Sequence, residues 1–211
     1  MQVIASISRA LRLSSASEEF LHRLVRPFPD RGYEAKQSSA GPERLSAFFR
    51  ALSVPAFAHD RVLEVIAANP LAEALSPSFR PGVNLVSAAF LDPDLRRLYV
   101  NWDDMTARLV SYLRAQAAVP PNDPGLPALV EGLTERSSRF AELWSRQDVG
   151  AGSSGVNQLD HPIVGAMELN FERLTLAGTD HPVVVVYHAE AGSASERALG
   201  RLQAIVSAGP L

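Results

Sequence analysis

Residues 181–188 read HPVVVVYH, and no other stretch restricts the fold as much. A strand turns successive side chains to opposite faces. Here both faces are apolar, which is the pattern of a central strand buried on either side. The segment before it behaves differently. From Ile163 the odd positions read Ile, Gly, Met, Leu, Phe and the even ones Val, Ala, Glu, Asn, Glu. That period of two predicts a half-buried strand ending near Phe171. A chain carrying both segments is organised around a sheet.

The chain has 211 residues, 46% of them apolar, enough for one sizeable domain with an appendage. Its net charge of -3 names no polyanionic partner. The charge is uneven, however: residues 1–50 carry eight basic and five acidic side chains, against twelve and eighteen beyond them. No apolar run approaches the roughly 18 residues that span a bilayer, and the first residues lack the apolar region and cleavage site of a signal peptide. A cytoplasmic location is expected. The absence of cysteine excludes disulfides, thiolate nucleophiles and Cys-ligated metal sites.

Along the chain, ISRALRLSSASEEFLHRL forms two amphipathic pieces, Ser15 and Glu18 making the capping box of the second. Residues 1–25 therefore read as a helix pair. Residues 26–43, rich in proline, glycine and polar side chains, read as a linker, with one domain from 44 to 206. Residues 44–53 are helical in pattern, and 55–67 alternate as two short strands around Asp60-Arg61. Asn69 caps the helix PLAEAL, whose Pro70 sits where a missing N–H costs nothing. A stripe of Trp102, Met105, Leu109, Tyr112 and Leu113 marks a helix to Val119. Asp123-Pro124 opens another, carrying Phe140 and Trp144, with a break at Ser137-Ser138. The Gly/Ser-rich run 150–155 reads as a turn that feeds a strand. Ser193 and Glu196 cap a last helix ending near Val206. With all strands in one sheet and most helices inserted between its halves, the fold class is α+β.

Catalytic patterns are missing. Neither a GxSxG elbow nor a phosphate-binding glycine pattern occurs. The repeat Asp160-His161-Pro162 and Asp180-His181-Pro182, with His188 on the following strand, offers three histidines to a metal, which would make the chain a small metal-dependent hydrolase. No histidine pair has metal-ligand spacing, and strand starts explain both tripeptides. Neither a metal nor a cofactor is expected, and the chain is read as a non-enzyme. The aromatics Trp102, Tyr112, Phe140, Trp144, Phe171 and Tyr187 serve either a core or a ligand cavity, and for each alone core is the simpler reading. Arg96, Arg97 and Arg114 border the same stripe and would suit an anionic head group or a solvated helix face.

The segments LEVIAANPLAEAL, NLVSAAFLDPDLRRLYVNWDDMTARLVSYLRAQAAVPPNDPGLPALVEGL, SSRFAELWSRQDV, HPIVGAMELNFERL and VVVYHAEAGSASERAL, in this order and spacing over about residues 50–202, resemble the MmyB-like ligand-binding domain of transcription regulators. The resemblance implies a PAS-like fold, a mixed or antiparallel sheet with helices inserted between strand pairs, acting as a sensor of fatty-acid-like ligands. In that family the sensor follows an XRE-type helix-turn-helix domain, and residues 1–25 resemble its last helices. The DNA-binding part is then largely absent here, and this chain alone is expected not to bind duplex DNA specifically. Where the family has Trp-Asn, this sequence has Ala68-Asn69, which reshapes whatever that Trp touches. A cavity lined by Met105, Leu109, Leu113, Phe140, Trp144, Met167 and Tyr187 is expected, with Arg114 or His188 holding a carboxylate. A homodimer is compatible with the reading. A purely structural dimerisation domain, the third alternative, would have no cavity.

Overall fold

A computed structural model describes residues 42–118, 123–150, 152–175 and 182–208. The helix pair read at 1–25 and all but the last two residues of the 26–43 linker lie outside these. Helix α1 (Pro42–Ala51) leads into strands β1 (Ala56–His59) and β2 (Val65–Ala68). Five helices follow: α2 (Pro70–Leu75), α3 (Leu85–Leu91), α4 (Pro93–Leu98), α5 (Trp102–Ala117) and α6 (Leu126–Arg136). Then come α7 (Ser138–Ser145), strands β3 (Ser154–His161), β4 (Gly165–Thr175) and β5 (Val183–His188), and α8 (Ala194–Ala208). The strands form one sheet in the order β2-β1-β5-β4-β3, with every pairing antiparallel. This is the expected α+β arrangement, with helices between the two strand groups and α1 ahead of the sheet.

Strand β5 is central, and it is apolar on both faces because both are covered. Val185 and Tyr187 join the main core beneath the helices, whereas Val184 packs with Ala56, Ala58, Ala67 and the fully buried Phe49 of α1. Burying a side chain the size of Phe49 stabilises the fold by about 2–3 kcal/mol. Along β3 and β4 the far face is open, and Val156, Gln158, Asp160, Glu168 and Leu174 are exposed.

Two local devices match the sequence. Ser137 ends α6 and caps α7, its Oγ accepting from Phe140 N at 3.2 Å, which breaks the helical segment where the Ser-Ser pair predicts. Asn69 caps α2, its Oδ1 accepting from Ala72 N at 2.9 Å. It also accepts from Ala56 N at 3.1 Å and donates to Val54 O at 2.7 Å and Leu52 O at 3.4 Å. One buried side chain thereby ties α2 to β1 and to the exit of α1.

Strand β3 departs from the sequence reading. Asp160-His161-Pro162 does not start a strand but ends one and turns into β4, with Gly165 at φ +79° where only glycine sits without strain. The inward positions of β3 are Gly155, Asn157, Leu159 and His161; only Leu159 is a bulky apolar residue, so no apolar period marks the strand. Its outer edge is covered: Val100 N donates to Gln158 O at 2.8 Å and Gln158 N to the Asn101 side chain at 3.0 Å. That contact closes an otherwise open edge and carries Tyr99 over the inner face.

Candidate functional site

Between the inner face of the sheet and helices α3, α4 and α5 lies a cavity of about 70 Å3. Strand parity decides which side chains reach it. Asn157 of β3, Phe171 and Arg173 of β4, and Val185 and Tyr187 of β5 all lie on the inner face. Phe57, His59 and Leu63 come from the β1–β2 hairpin, Leu85 and Ala89 from α3, and Met105, Arg108 and Leu109 from α5. Leu63 is buried at φ +64°, a left-handed conformation that costs a non-glycine residue about 1 kcal/mol. The turn is held by Asp60, whose Oδ1 accepts from Val62 N and Glu64 N at 3.0 and 2.8 Å.

One wall of the cavity is aromatic. Phe57 stacks on Phe79 at 4.6 Å, Phe79 lies 5.7 Å from Tyr187, and Phe171 stands at 6.2 Å from the same ring. The other end is polar. Tyr99 and Tyr187 bring their hydroxyls to 3.4 Å, and Asn157 Nδ2 donates to the Tyr187 oxygen at 3.3 Å. Burial first, and then the neighbouring Tyr187, raises the Tyr99 phenol well above its ordinary range; burial also raises Tyr187. Both stay neutral and able to donate.

Two arginines complete this end. Arg108 donates to Asn157 Oδ1 at 2.7 Å and to Val156 O at 3.1 Å. The guanidinium of Arg173 sits between two rings, 4.0 Å from Tyr112 and 4.8 Å from Phe171, and donates to Gly152 O. Burial lowers its pKa, and Arg108 pushes the same way. Among the described residues neither arginine is paired with a carboxylate. Two cations thus line a largely apolar space without an anion between them. The poorly solvated charge of Arg173 carries a cost that a negative group beside it would offset.

The residues expected from sequence separate into four places. Met105, Leu109 and Tyr187 line the cavity. Leu113 is fully buried in the core, and Met167 is buried opposite Leu159. Phe140 stacks on Trp144 at 5.7 Å and meets Phe90 edge-on at 5.2 Å, in a cluster between α3, α5 and α7. Arg114 belongs there too: it lies 4.0 Å over the Trp144 ring, donates to Trp144 O, and borders a recess on the surface. His188 is on the opposite face of the sheet, its Nε2 4.0 Å from the Glu172 carboxylate. Of the other two weighed arginines, Arg96 covers Trp102 at 4.1 Å and Arg97 pairs with Asp94 on the surface.

Sequence reasoning passed over Arg108, Asn157 and Arg173. A signal for two of them was present. Arg108 falls three residues after Met105 on the apolar stripe of α5, and Arg173 shares the parity of Phe171, two residues beyond the end that the alternation predicts for the strand. Asn157 lies on the strand that carried no apolar period.

Of the three histidines, the two described, His161 and His188, do not converge. His161 Nε2 lies 2.9 Å from Ala74 O, and its Nδ1 accepts from Ile163 N at 3.2 Å, so it locks the β3–β4 turn to α2. His181 lies outside the described residues. Among the described residues no group of three His, Asp or Glu side chains could hold a metal ion, and no helix is long and apolar enough to cross a membrane.

A comparison with curated proteins finds no match. A family profile does match, over residues 42–202, from the start of α1 into α8. The matched span holds the whole sheet, the helices inserted into it and every residue that lines the cavity, and by this match the chain belongs to the family of MmyB-like transcription regulator ligand binding domains.

Proposed function

We propose that the domain senses a carboxylic acid with an apolar body, fatty-acid-like in character, and passes its presence to a DNA-binding unit. The observation that carries this reading is the pair Arg108 and Arg173, two cations without a carboxylate partner among the described residues, at the polar end of a cavity whose other end is walled by aromatic and aliphatic side chains. A guanidinium pair suits a carboxylate through charge and paired hydrogen bonds. These two replace Arg114 and His188 as the proposed head-group residues, because Arg114 lies over Trp144 outside the cavity lining and His188 is on the opposite face of the sheet. The apolar body would lie against Phe57, Phe79, Leu85, Met105, Leu109 and Tyr187.

Size constrains the ligand. The space of about 70 Å3 is well below the roughly 300 Å3 at which ligand pockets usually begin. It takes a head group and a few carbons, so a longer acyl chain has to displace wall side chains. Each methylene that becomes buried contributes about 0.8 kcal/mol toward that displacement. Occupation would bias the arrangement of the segment ahead of α1 and, through it, of an XRE-type helix-turn-helix unit, in a regulator working in the cytoplasm.

Calorimetry with decanoic acid and with decanol tests the reading. The acid is expected to bind and the alcohol to bind at least about tenfold more weakly, a difference of about 1.4 kcal/mol. Arg173→Gln should remove the preference for acid at little net cost in stability, since its lost contacts with Tyr112 and Phe171 are offset by removal of a poorly solvated charge beside the Arg108 cation. Leu109→Trp should fill the cavity and abolish binding of both. Equal affinity of parent and Arg173→Gln protein for the acid would overturn the head-group assignment, and unchanged binding by Leu109→Trp would move the ligand elsewhere.

A further inference from the structure

The Gly/Ser-rich run ends inside β3 at Gly155, which pairs across the sheet and does not turn the chain. We infer that Gly155 sets how bulky a ligand body the cavity accepts, acting through Phe171; the inference rests on the ligand reading above. Gly155 and Phe171 are cross-strand partners with side-chain directions on the same inner face. A Cβ at Gly155 would stand 2.8 Å from Phe171 Cε1 and 2.9 Å from its Cζ, where carbon atoms in contact prefer about 3.5–4.0 Å. The aromatic ring occupies the space that any other residue would fill with its own Cβ.

Conformation is not the reason for the glycine. Its φ is not among the positive values found at Gly82, Gly165 and Gly192, so an L residue fits the backbone there. Space alone selects it. With a Cβ present the ring has to move, because the strand cannot: β3 and β4 pair in unbroken register from Ser154 to His161, and Arg173 N is bonded to Ser153 O at 2.6 Å. On one side the Arg173 guanidinium covers the ring at 4.8 Å. On the other, Tyr187 stands 6.2 Å away with the cavity beside it. The open direction is into the cavity.

The effect should spare the anionic end. Arg108 Nε would lie 3.8 Å from the added Cβ, an ordinary contact that leaves its bond to Asn157 in place. Arg173 keeps Tyr112 at 4.0 Å and its bond to Gly152 O when the Phe171 ring shifts, so Gly155 governs body size and not head-group preference.

Crystal structures of the parent, Gly155→Ala, Phe171→Leu and the double variant, each also exposed to xenon, test this without any assumption about the natural ligand. Gly155→Ala should keep the fold, show the Phe171 ring displaced toward Tyr187, and lose xenon from the cavity; the double variant should regain it. Calorimetry then adds selectivity. Gly155→Ala should bind decanoic acid about tenfold more weakly, the lower end of what overpacking costs, while propanoic acid is held as in the parent. A ring that stays in place, or equal xenon occupancy in parent and variant, overturns the inference. So does an equal loss for both acids, which would mark an effect on the head group. Should Gly155→Ala fail to fold, Phe171→Leu alone decides: it must raise xenon occupancy in the parent background, and no increase overturns the inference. If the parent binds neither acid, the ligand reading falls, while the ring position and xenon still decide the role of Gly155.

Discussion

Two regions of this domain place an arginine over an aromatic ring, and they do opposite things. In the outer region Arg114 covers Trp144, which stacks on Phe140, and Arg96 covers Trp102. Arg96 is exposed and its stem seals a half-buried ring, while Arg114 is partly buried, with its guanidinium donating to Trp144 O and its pKa lowered by burial. In the inner region Arg173 lies between Tyr112 and Phe171, and Arg108 beside it reaches Asn157. There the charges face an unfilled space. Helix α5 supplies both regions, Met105, Arg108 and Leu109 to the inner one and Leu113 and Arg114 to the packed one. A stacked guanidinium is therefore no mark of a site by itself. What distinguishes the site is that two cations, Arg108 and Arg173, converge on one space between the sheet and the helices, whereas Arg114 stands alone at a surface recess.

The largest effect that sharpens this contrast is in the outer region. Phe140 is fully buried against Trp144 and Phe90, and Phe140→Ala should cost about 3–5 kcal/mol in chemical denaturation. Acid binding by the folded fraction should be unchanged, and a loss of affinity in step with stability would merge the two regions. Smaller is Arg114→Gln, expected to lower stability by about 0.5–1 kcal/mol through the lost contact with Trp144. Arg173→Gln should do the reverse, sparing stability and removing the acid preference. If both variants behave alike in both measurements, the contrast is wrong.

The smallest effect is a dependence on alkali. Tyr99 and Tyr187 have pKa values raised above the ordinary 10.0 chiefly by burial. A phenol that holds its proton more tightly when folded stabilises the fold fully below the unfolded pKa, and that stability is lost as pH rises toward the folded value. Urea unfolding followed from about pH 9 to about pH 11 should show stability falling above pH 10, and Tyr99→Phe should flatten the fall. The outer cluster of Phe90, Trp102, Phe140 and Trp144 has no tyrosine, so Phe140→Leu should leave the slope as it is.

How much of this was legible depended on whether a residue's environment repeats. Strand β5, the helix break at Ser137 and the cap at Asn69 could be read because periodicity and capping are local. Met105, Leu109 and Tyr187 were found at the cavity since apolar stripes point inward. The same stripes continue through Leu113, Phe140 and Trp144 into solid core, and no periodicity tells a wall from a filling. Arg108, Asn157 and Arg173 were missed for a related reason: each is a polar side chain at an inward position, and a polar residue there weakens the very pattern that would reveal it. Asn157 and His161 together hid all of β3 in this way.

The four hydrogen bonds of the Asn69 side chain have a consequence for the order of events as the chain folds. Their partners lie 3, 13, 15 and 17 residues away, in three segments that have no reason to meet until the sheet and α2 are both in place. A half-satisfied buried amide is worse than one left in water. The side chain thus acts as a latch that rewards only complete assembly, making the arrival of α1, β1 and α2 a single cooperative event. The amides of Ala56 and Ala72, sixteen residues apart in sequence, should then exchange with solvent through one shared opening.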